Sequence, residues 1–179
     1  MGRCTTDTRG KVDKVEYQKI SNSEGMRNSM NVMRILLSQG IDGMTPKVAA
    51  GICGNLYVES INMNPTAVGD NGLALGLAQW HPARQKGLVA LAQNRGTAVT
   101  DLETQANYVA EELTKKYPGV WRRIKGSNSI SDVTLIIMDD YETPSVSLPK
   151  NKARNPQAHN DEYTKRLRYA NTIYENYMK

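Results

Sequence analysis

Apolar positions recur every three or four residues along most of the chain, the spacing of helices that each bury one face. The first such run, "RNSMNVMRILLSQG", sets Met30, Met33, Leu36 and Leu37 on one side and offers Gly40 as a stop. A second opens at Thr45-Pro46, a cap followed by proline at the first helical position. It carries Val48, Ala49, Ile52, Cys53 and Leu56 on one stripe to an end near Ser60. Helical patterns return over 83–94 and 101–116, the latter introduced by "TDLE", which predicts a capping box of Thr100 and Glu103. "SDVTLIIMDDYETP" is long enough for a helix capped by Ser131, although its β-branched content also suits a strand. The last run, "DEYTKRLRYANTIYENYM", aligns Tyr163, Leu167, Ala170, Tyr174 and Tyr177 as a packing face.

Elsewhere the pattern lapses. Residues 61–80 are irregular, and "GDNG" within them favours positive φ, predicting a small β-hairpin or an extended loop. The prolines and asparagines of 143–160 predict a long loop. Residues 1–21 lack periodicity and are expected to be a flexible leader or linker before one domain spanning 22–179. The expected fold class is α+β, predominantly α-helical, with a small β element after the second helix.

Composition narrows the function. A chain of 179 residues with 39% hydrophobic residues suffices for one core. No apolar run is long enough to cross a bilayer, so no membrane partner is expected, and the polar N-terminus lacks the apolar stretch of a secretory signal. Cys4 and Cys53 are too few for a disulfide framework and are expected to be free thiols. With only His81 and His159, no His-rich metal site can be assembled, and neither a metal nor a cofactor is expected. A Cys53–His81 nucleophile pair is a poor candidate, since Cys53 falls on an apolar helix face. The net charge of +5 suits anionic partners, including a cell-wall polymer, but no nucleic-acid module is recognisable and no nucleic-acid partner is expected.

The informative stretch is "GNLYVESINMNPTAVGDNGLALGLAQW", residues 54–80. Helices tend to end on basic residues, yet this one ends on Glu59. At 100° per residue, Glu59 lies within about 20° of Val48 and Ile52 and so continues the buried stripe. Desolvation and the negative helix end both favour a carboxyl that keeps its proton, as cleavage of a glycosidic bond requires. The alternatives are a side chain that reaches to solvent from a frayed end, or one that pairs with a buried arginine. Trp80 offers a flat face to a sugar, or else anchors the core beneath the loop. Gln79 carries donors and an acceptor for an acetamido group, and Gly72 and Gly76 permit close backbone approach. Among possible second carboxylates, Asp70 fits turn chemistry, Asp139 and Asp140 fit a helix end, and Glu142, beside Tyr141, is the one expected to face a cleft.

"VESINMNPTAVGDNGLALGLAQW" resembles the lysozyme-like families related to goose-type lysozyme and soluble lytic transglycosylases, through Glu-Ser and the later Gly-Leu-x-Gln. "AAGICGNLYVES…GLALGLAQWHPARQKGL" is closer to the phage tail lysozyme family, over about residues 27–177, with "DYETP" where that family often has Tyr-Glu-Arg-Pro. Thr143 stands in place of the arginine. The resemblance implies a lysozyme-like fold and cleavage of the β-1,4 bond between N-acetylmuramic acid and N-acetylglucosamine, by hydrolysis or transglycosylation. It makes Glu59 the general acid and base. Ser60 would orient that carboxylate or contact sugar, and Gln79 would line the groove, with Asp70, Trp80, Tyr141 and Glu142 as further substrate-binding candidates. Implied partners are peptidoglycan strands and phage tail or injection-machine proteins, with the chain virion-associated or released to the wall. The competing reading is an idle wall-binding or baseplate module that keeps the fold without the chemistry.

Overall fold

The computed structural model describes Val12, Val15 and residues 17–179. Helices α1 (Asn22–Ser38) and α2 (Pro46–Glu59) lead into a two-stranded antiparallel hairpin, β1 (Val68–Gly69) and β2 (Ala74–Leu75). Then follow α3 (Pro82–Arg95), α4 (Leu102–Glu111), α5 (Pro118–Ile124), α6 (Ile130–Ile137), α7 (Pro149–Arg154) and α8 (Pro156–Tyr177). Helix α4 runs on into a π turn at Glu112–Lys116, and α6 into another at Met138–Glu142. This is the predominantly α-helical α+β class expected, with the hairpin directly after α2.

Helix α2 is the axis of the domain. Residues 48–57 are all buried, so it is enclosed on every side, where the sequence suggested a single stripe. Two glycines make the enclosure possible. A methyl group at Gly51 would lie 2.5 Å from Val133 Cγ1 of α6, and one at Gly54 would lie 2.6 Å from both Ala170 Cβ and the Arg166 carbonyl of α8. Helices α6 and α8 therefore approach α2 closer than any side-chained residue would permit.

The chain reverses immediately after α2. Ile61, Asn62 and Met63 have φ of 51°, 70° and 54°, three consecutive non-glycine residues in the left-handed region. Each costs on the order of 1–2 kcal/mol. Tertiary bonds hold them there: Asn62 N–H reaches the Tyr57 carbonyl (3.1 Å), Asn28 Nδ2 reaches the Met63 carbonyl (3.1 Å), and the Met63 side chain is buried. Ser60 is buried too. Its hydroxyl donates to the Leu56 carbonyl (2.6 Å) and accepts from Asn64 N–H (3.2 Å), closing the helix end.

Several boundaries differ from the sequence expectation. The cap of α4 is Asp101, whose carboxylate accepts from Thr104 N–H at 2.8 Å, and no Thr100–Glu103 box forms. The cap of α6 is Ser129, which accepts from Asp132 N–H (3.1 Å), placing Ser131 inside the helix. The expected loop over 143–160 contains α7 and the start of α8, because Pro149 and Pro156 each occupy a helix's first position. "PGVWRRI", given no element from the sequence, is α5. On α8 the buried residues are His159, Arg166, Ala170 and Ile173, so the tyrosine stripe sits beside the core. Most of the leader, with Cys4, lies outside the described residues. The described part docks on the domain, Val12 donating its N–H to Gln85 Oε1 (2.8 Å) and Gln18 its N–H to Thr66 Oγ1 (2.9 Å). Val12 and Val15 cover a cavity of about 150 Å³ against the hairpin.

The close α2–α8 seam carries a test. Gly54→Ala is expected to lower stability by about 1–2 kcal/mol, the cost of overpacking less the helix-propensity gain of alanine. An unchanged or raised denaturation midpoint would show that the seam yields freely.

Candidate active site

Glu59 ends α2 with 19% of its side chain exposed, at the mouth of the seam with α8. It does not stand alone. Arg166, 2% exposed, rises from α8 and forms an ion pair with Glu59 through Nη2. The same guanidinium donates from Nε to Glu162 Oε1 (3.0 Å) and from Nη1 to Asn55 Oδ1 (3.1 Å). Asn55 in turn donates to the carbonyls of Gly51 (2.9 Å) and Thr134 (3.1 Å), so one polar chain joins α6, α2 and α8. Of the alternatives open for Glu59, the geometry is that of a carboxylate with a buried arginine partner. Burial works against charge on Glu162, but the bond from Lys165 and the charge of Arg166 prevail and hold its carboxyl below the ordinary glutamate range.

Glu142 closes the π turn after α6, part-buried, with Oε1 sealed from solvent and lacking any hydrogen-bond partner in the protein. Burial pushes its carboxyl well above the usual glutamate range, and the charge of Glu59 pushes further; Arg84 and Arg166 oppose, and Glu112 adds to the rise. The backbone of this turn is fixed by Thr143, left-handed at φ 45°, whose N–H bonds the Met138 carbonyl (2.9 Å).

Behind these groups lies a second buried cluster centred on Glu112, which is fully buried. Its carboxylate accepts from Trp80 Nε1 (2.7 Å), from Arg84 Nε (3.1 Å) and Nη2 (2.8 Å), and from the Tyr141 hydroxyl (2.9 Å). The Arg84 guanidinium also lies over the Tyr141 ring, 4.8 Å from its centroid. Burial and then the charge of Glu112 hold the Tyr141 phenol protonated far beyond its ordinary range.

These contacts place the remaining sequence candidates. Trp80 is wholly buried with its indole N–H on Glu112, so it anchors the core and shows no face to a sugar. Tyr141 is likewise enclosed, and Ser60 serves the end of α2. Gln79, at φ 44°, braces the hairpin by donating from Nε2 to the carbonyls of Gly76 (3.0 Å) and Ala67 (3.4 Å). Asp70 is exposed in the hairpin turn and pairs with His81 at 2.8 Å. Gly76 gives close approach to Gln105, not to a ligand: a methyl group there would lie 2.5 Å from Gln105 Oε1. Asp139 bonds His159 (2.7 Å) and Lys152 (3.0 Å), and Asp140 pairs with Arg123 on the surface. Cys53 is buried and free, and burial raises its thiol far beyond reactive range, which removes the Cys53–His81 pair. Among the described residues no group of three His, Cys, Asp or Glu is placed to hold a metal ion.

Sequence reading missed Arg166, Glu112, Arg84 and the buried glutamines Gln85 and Gln105, which tie the hairpin to α3 and α4. Gln85 donates to the Leu73 and Trp80 carbonyls (2.7 and 2.6 Å), while Gln105 accepts from Leu77 N–H (2.9 Å). One signal was available for Arg166: it stands at helical spacing from Ala170 and Ile173, on the face that is buried.

A helical domain that presents a glutamate at the end of its central helix, followed by a small hairpin, defines the lysozyme-like class. Residues 27–177 match the family model described as phage tail lysozyme, and the chain belongs to that family. No curated protein sequence matches the chain. Membership supports a lysozyme-like, cell-wall-degrading role.

Two outcomes follow from the buried carboxyls. Folding raises the affinity of Glu142 for its proton, so its contribution to stability is whole below the unfolded value near 4.5 and shrinks as pH rises toward the folded value. Stability is therefore expected to fall above pH 5 by up to about 1.4 kcal/mol per pH unit, the single-group limit, and Glu142→Gln should flatten that slope. Glu162 and Asp139, both held low, lose their contributions only as pH drops below the ordinary carboxyl range, outside this window. Urea titrations at several pH values measure the slope. Separately, Glu112→Gln strands the Arg84 charge and is expected to cost about 3 kcal/mol in the same assay.

Proposed function

We propose that this chain cuts the glycan strands of peptidoglycan at the β-1,4 bond between N-acetylmuramic acid and N-acetylglucosamine, with Glu59 passing a proton to the leaving oxygen. The observation that carries this reading is the position of Glu59, partly exposed at the end of the central helix, fixed by Arg166 and accompanied by a second, desolvated carboxyl at Glu142. A carboxyl pair whose members differ in environment is what acid-assisted glycoside cleavage uses. Asp70 and Gln79, on the hairpin beyond α2, border the path of the sugar chain in this reading. The charge of +5 favours an anionic wall. Family membership supports delivery with a phage tail or injection apparatus, acting on a local area of wall.

Hydrolysis and transglycosylation differ in what attacks the anomeric carbon: water in the first, a hydroxyl of the same muramoyl unit in the second. Digestion of purified peptidoglycan with wild type and Glu59→Gln, followed by mass spectrometry, tests the proposal and separates the two by reducing or anhydro ends. Soluble muropeptides are expected from the wild type, with the variant reduced at least 100-fold, a typical loss for a general acid. Equal release by both proteins would show that another group is the acid.

The ion pair between Glu59 and Arg166 favours one second reading, an idle module with a lysozyme-like fold that binds the wall or serves in a baseplate. Retained wall binding with no release by either protein would establish it.

A further inference from the structure

Helix α2 stops by turning left-handed, and the residue placed at the turn is poorly suited to that work alone. Ile61, at φ 51°, follows the cap residue Ser60. A left-handed residue is an ordinary way to end a helix, and glycine or asparagine adopts it at least cost. A β-branched side chain in that conformation is an outlier. Its two neighbours, left-handed as well, are accounted for. Asn62 is of a type that tolerates the conformation, and its N–H bonds the Tyr57 carbonyl (3.1 Å). Met63 is buried, with its carbonyl held by Asn28 (3.1 Å). Ile61 has neither support. It is 65% exposed, the most exposed large apolar residue among those described, and its N–H makes only a long bond of 3.4 Å to the Val58 carbonyl. Met178 and Leu148, the next in exposure, stand on ordinary backbone at φ −83° and −61°. Thr143, also β-branched and left-handed, carries a hydroxyl that suits a surface.

We infer that Ile61 is a substrate-contact residue, an apolar projection beside Glu59 that packs against a methyl-bearing or C–H-rich part of the peptidoglycan strand. This rests on the glycosidase reading above and adds a binding contact to it. Ile61 lies two residues beyond Glu59, so their Cα atoms are within about 7 Å of each other. A strand whose glycosidic oxygen meets Glu59 therefore passes within reach of Ile61. The side chain has no polar atom, so what it recognises is apolar. Two parts of the strand qualify: the ring carbons and acetamido methyls of the sugars, or the lactyl and peptide methyls that the muramic acid units bear. Covering Ile61 on binding removes apolar surface from water that the free protein leaves wet. The projection is also held firmly from beneath. Ser60 bonds the Leu56 carbonyl and the Asn64 N–H, and a methyl group at Gly25 of α1 would lie 2.4 Å from the Asn62 carbonyl oxygen. A contact fixed in advance loses little freedom when substrate arrives. Strained conformations collect at ligand-contacting positions, and here a less strained residue type would serve the helix end better.

Ile61→Asn separates contact from structure, because the two roles predict opposite changes in stability. Thermal unfolding of this variant is expected to show a midpoint raised by about 2–4 °C, as left-handed strain is relieved. In the wall-digestion assay the same variant should raise KM about 10-fold with kcat unchanged, the pattern of an apolar contact made equally in ground and transition states. Ile61→Val keeps the branched apolar shape and should stay close to wild type in both measurements. A lowered midpoint or failure to fold in Ile61→Asn would overturn the inference by making Ile61 a structural residue. An unchanged KM would overturn it by removing the contact. Two substrates identify the group touched. A KM raised both on intact wall and on glycan strands stripped of their peptides assigns it to the sugars, and a rise confined to intact wall assigns it to the peptide-bearing side. Co-sedimentation with insoluble wall requires no cleavage, and there Ile61→Asn should bind about 10-fold more weakly. No release by the wild type would sink the glycosidase reading, while equal sedimentation of the two proteins would sink this inference, so the two claims fail separately.

Discussion

A single guanidinium organises this domain. Arg166 lies in the seam between α8 and α2, almost wholly out of solvent, and its donors are divided among Glu59, Glu162 and Asn55. Removing such a charge from water costs several kcal/mol unless its bonds are replaced, so the position of α8 against α2 is closely constrained by the need to satisfy it. Asn55 extends the constraint to α6 through the Thr134 carbonyl. Glycines at 51 and 54 let the helices draw close around this polar chain. The apolar core supplies most of the burial, while this polar chain fixes the register in which the core is packed and sets the direction of Glu59.

The Glu112 cluster plays the corresponding part on the other side of the site. It gathers Trp80 from the end of the hairpin, Arg84 from α3 and Tyr141 from the turn after α6 around one carboxylate. Segments far apart in sequence are thereby pinned at one point, and Glu142, the residue after Tyr141, is brought into the field of Glu59. The two π turns belong to the same design. Each lets a helix carry one more residue than an α-turn allows, and they place Glu112 and Glu142 at their ends. The electrostatic outcome is an asymmetric pair of carboxyls: one with an arginine partner and some exposure, the other part-buried with one oxygen sealed and unbonded.

Backbone strain is concentrated where the chain leaves the helix that carries Glu59. Three left-handed residues at 61–63, then Asp70 and Asn71 in the hairpin turn and Gln79 at its base, all lie between residues 59 and 80. Such conformations persist only where surrounding bonds over-determine them. Buried Gln85 and Gln105, together with Asn28, provide those bonds. The rim next to Glu59 is thus held in a fixed shape from beneath.

Much of this was legible along the chain. The period of the apolar residues located α1, α2, α3, α4 and α8, and Thr45-Pro46 marked the start of α2, because local spacing and caps act within a few residues. The Asp-Asn-Gly turn announced the hairpin, and Glu59 drew notice as a carboxylate on an apolar face at the wrong end of a helix. Trp80 could be read two ways, since a wide apolar ring serves a core and a sugar equally well; burial decided for the core. The caps of α4 and α6 shifted because neighbouring Thr, Asp and Ser residues compete for the same amides. The loop expected near Pro149 and Pro156 became helix because proline breaks a helix inside but suits its first turn. What the sequence by itself determined was the helical framework, the hairpin and the candidate acid, since these rest on contacts between residues close in the chain. Only the tertiary structure decided that Arg166 would meet Glu59 across 107 positions and that Glu142 would be left without a partner, because charge pairing and desolvation depend on which distant segments are packed together.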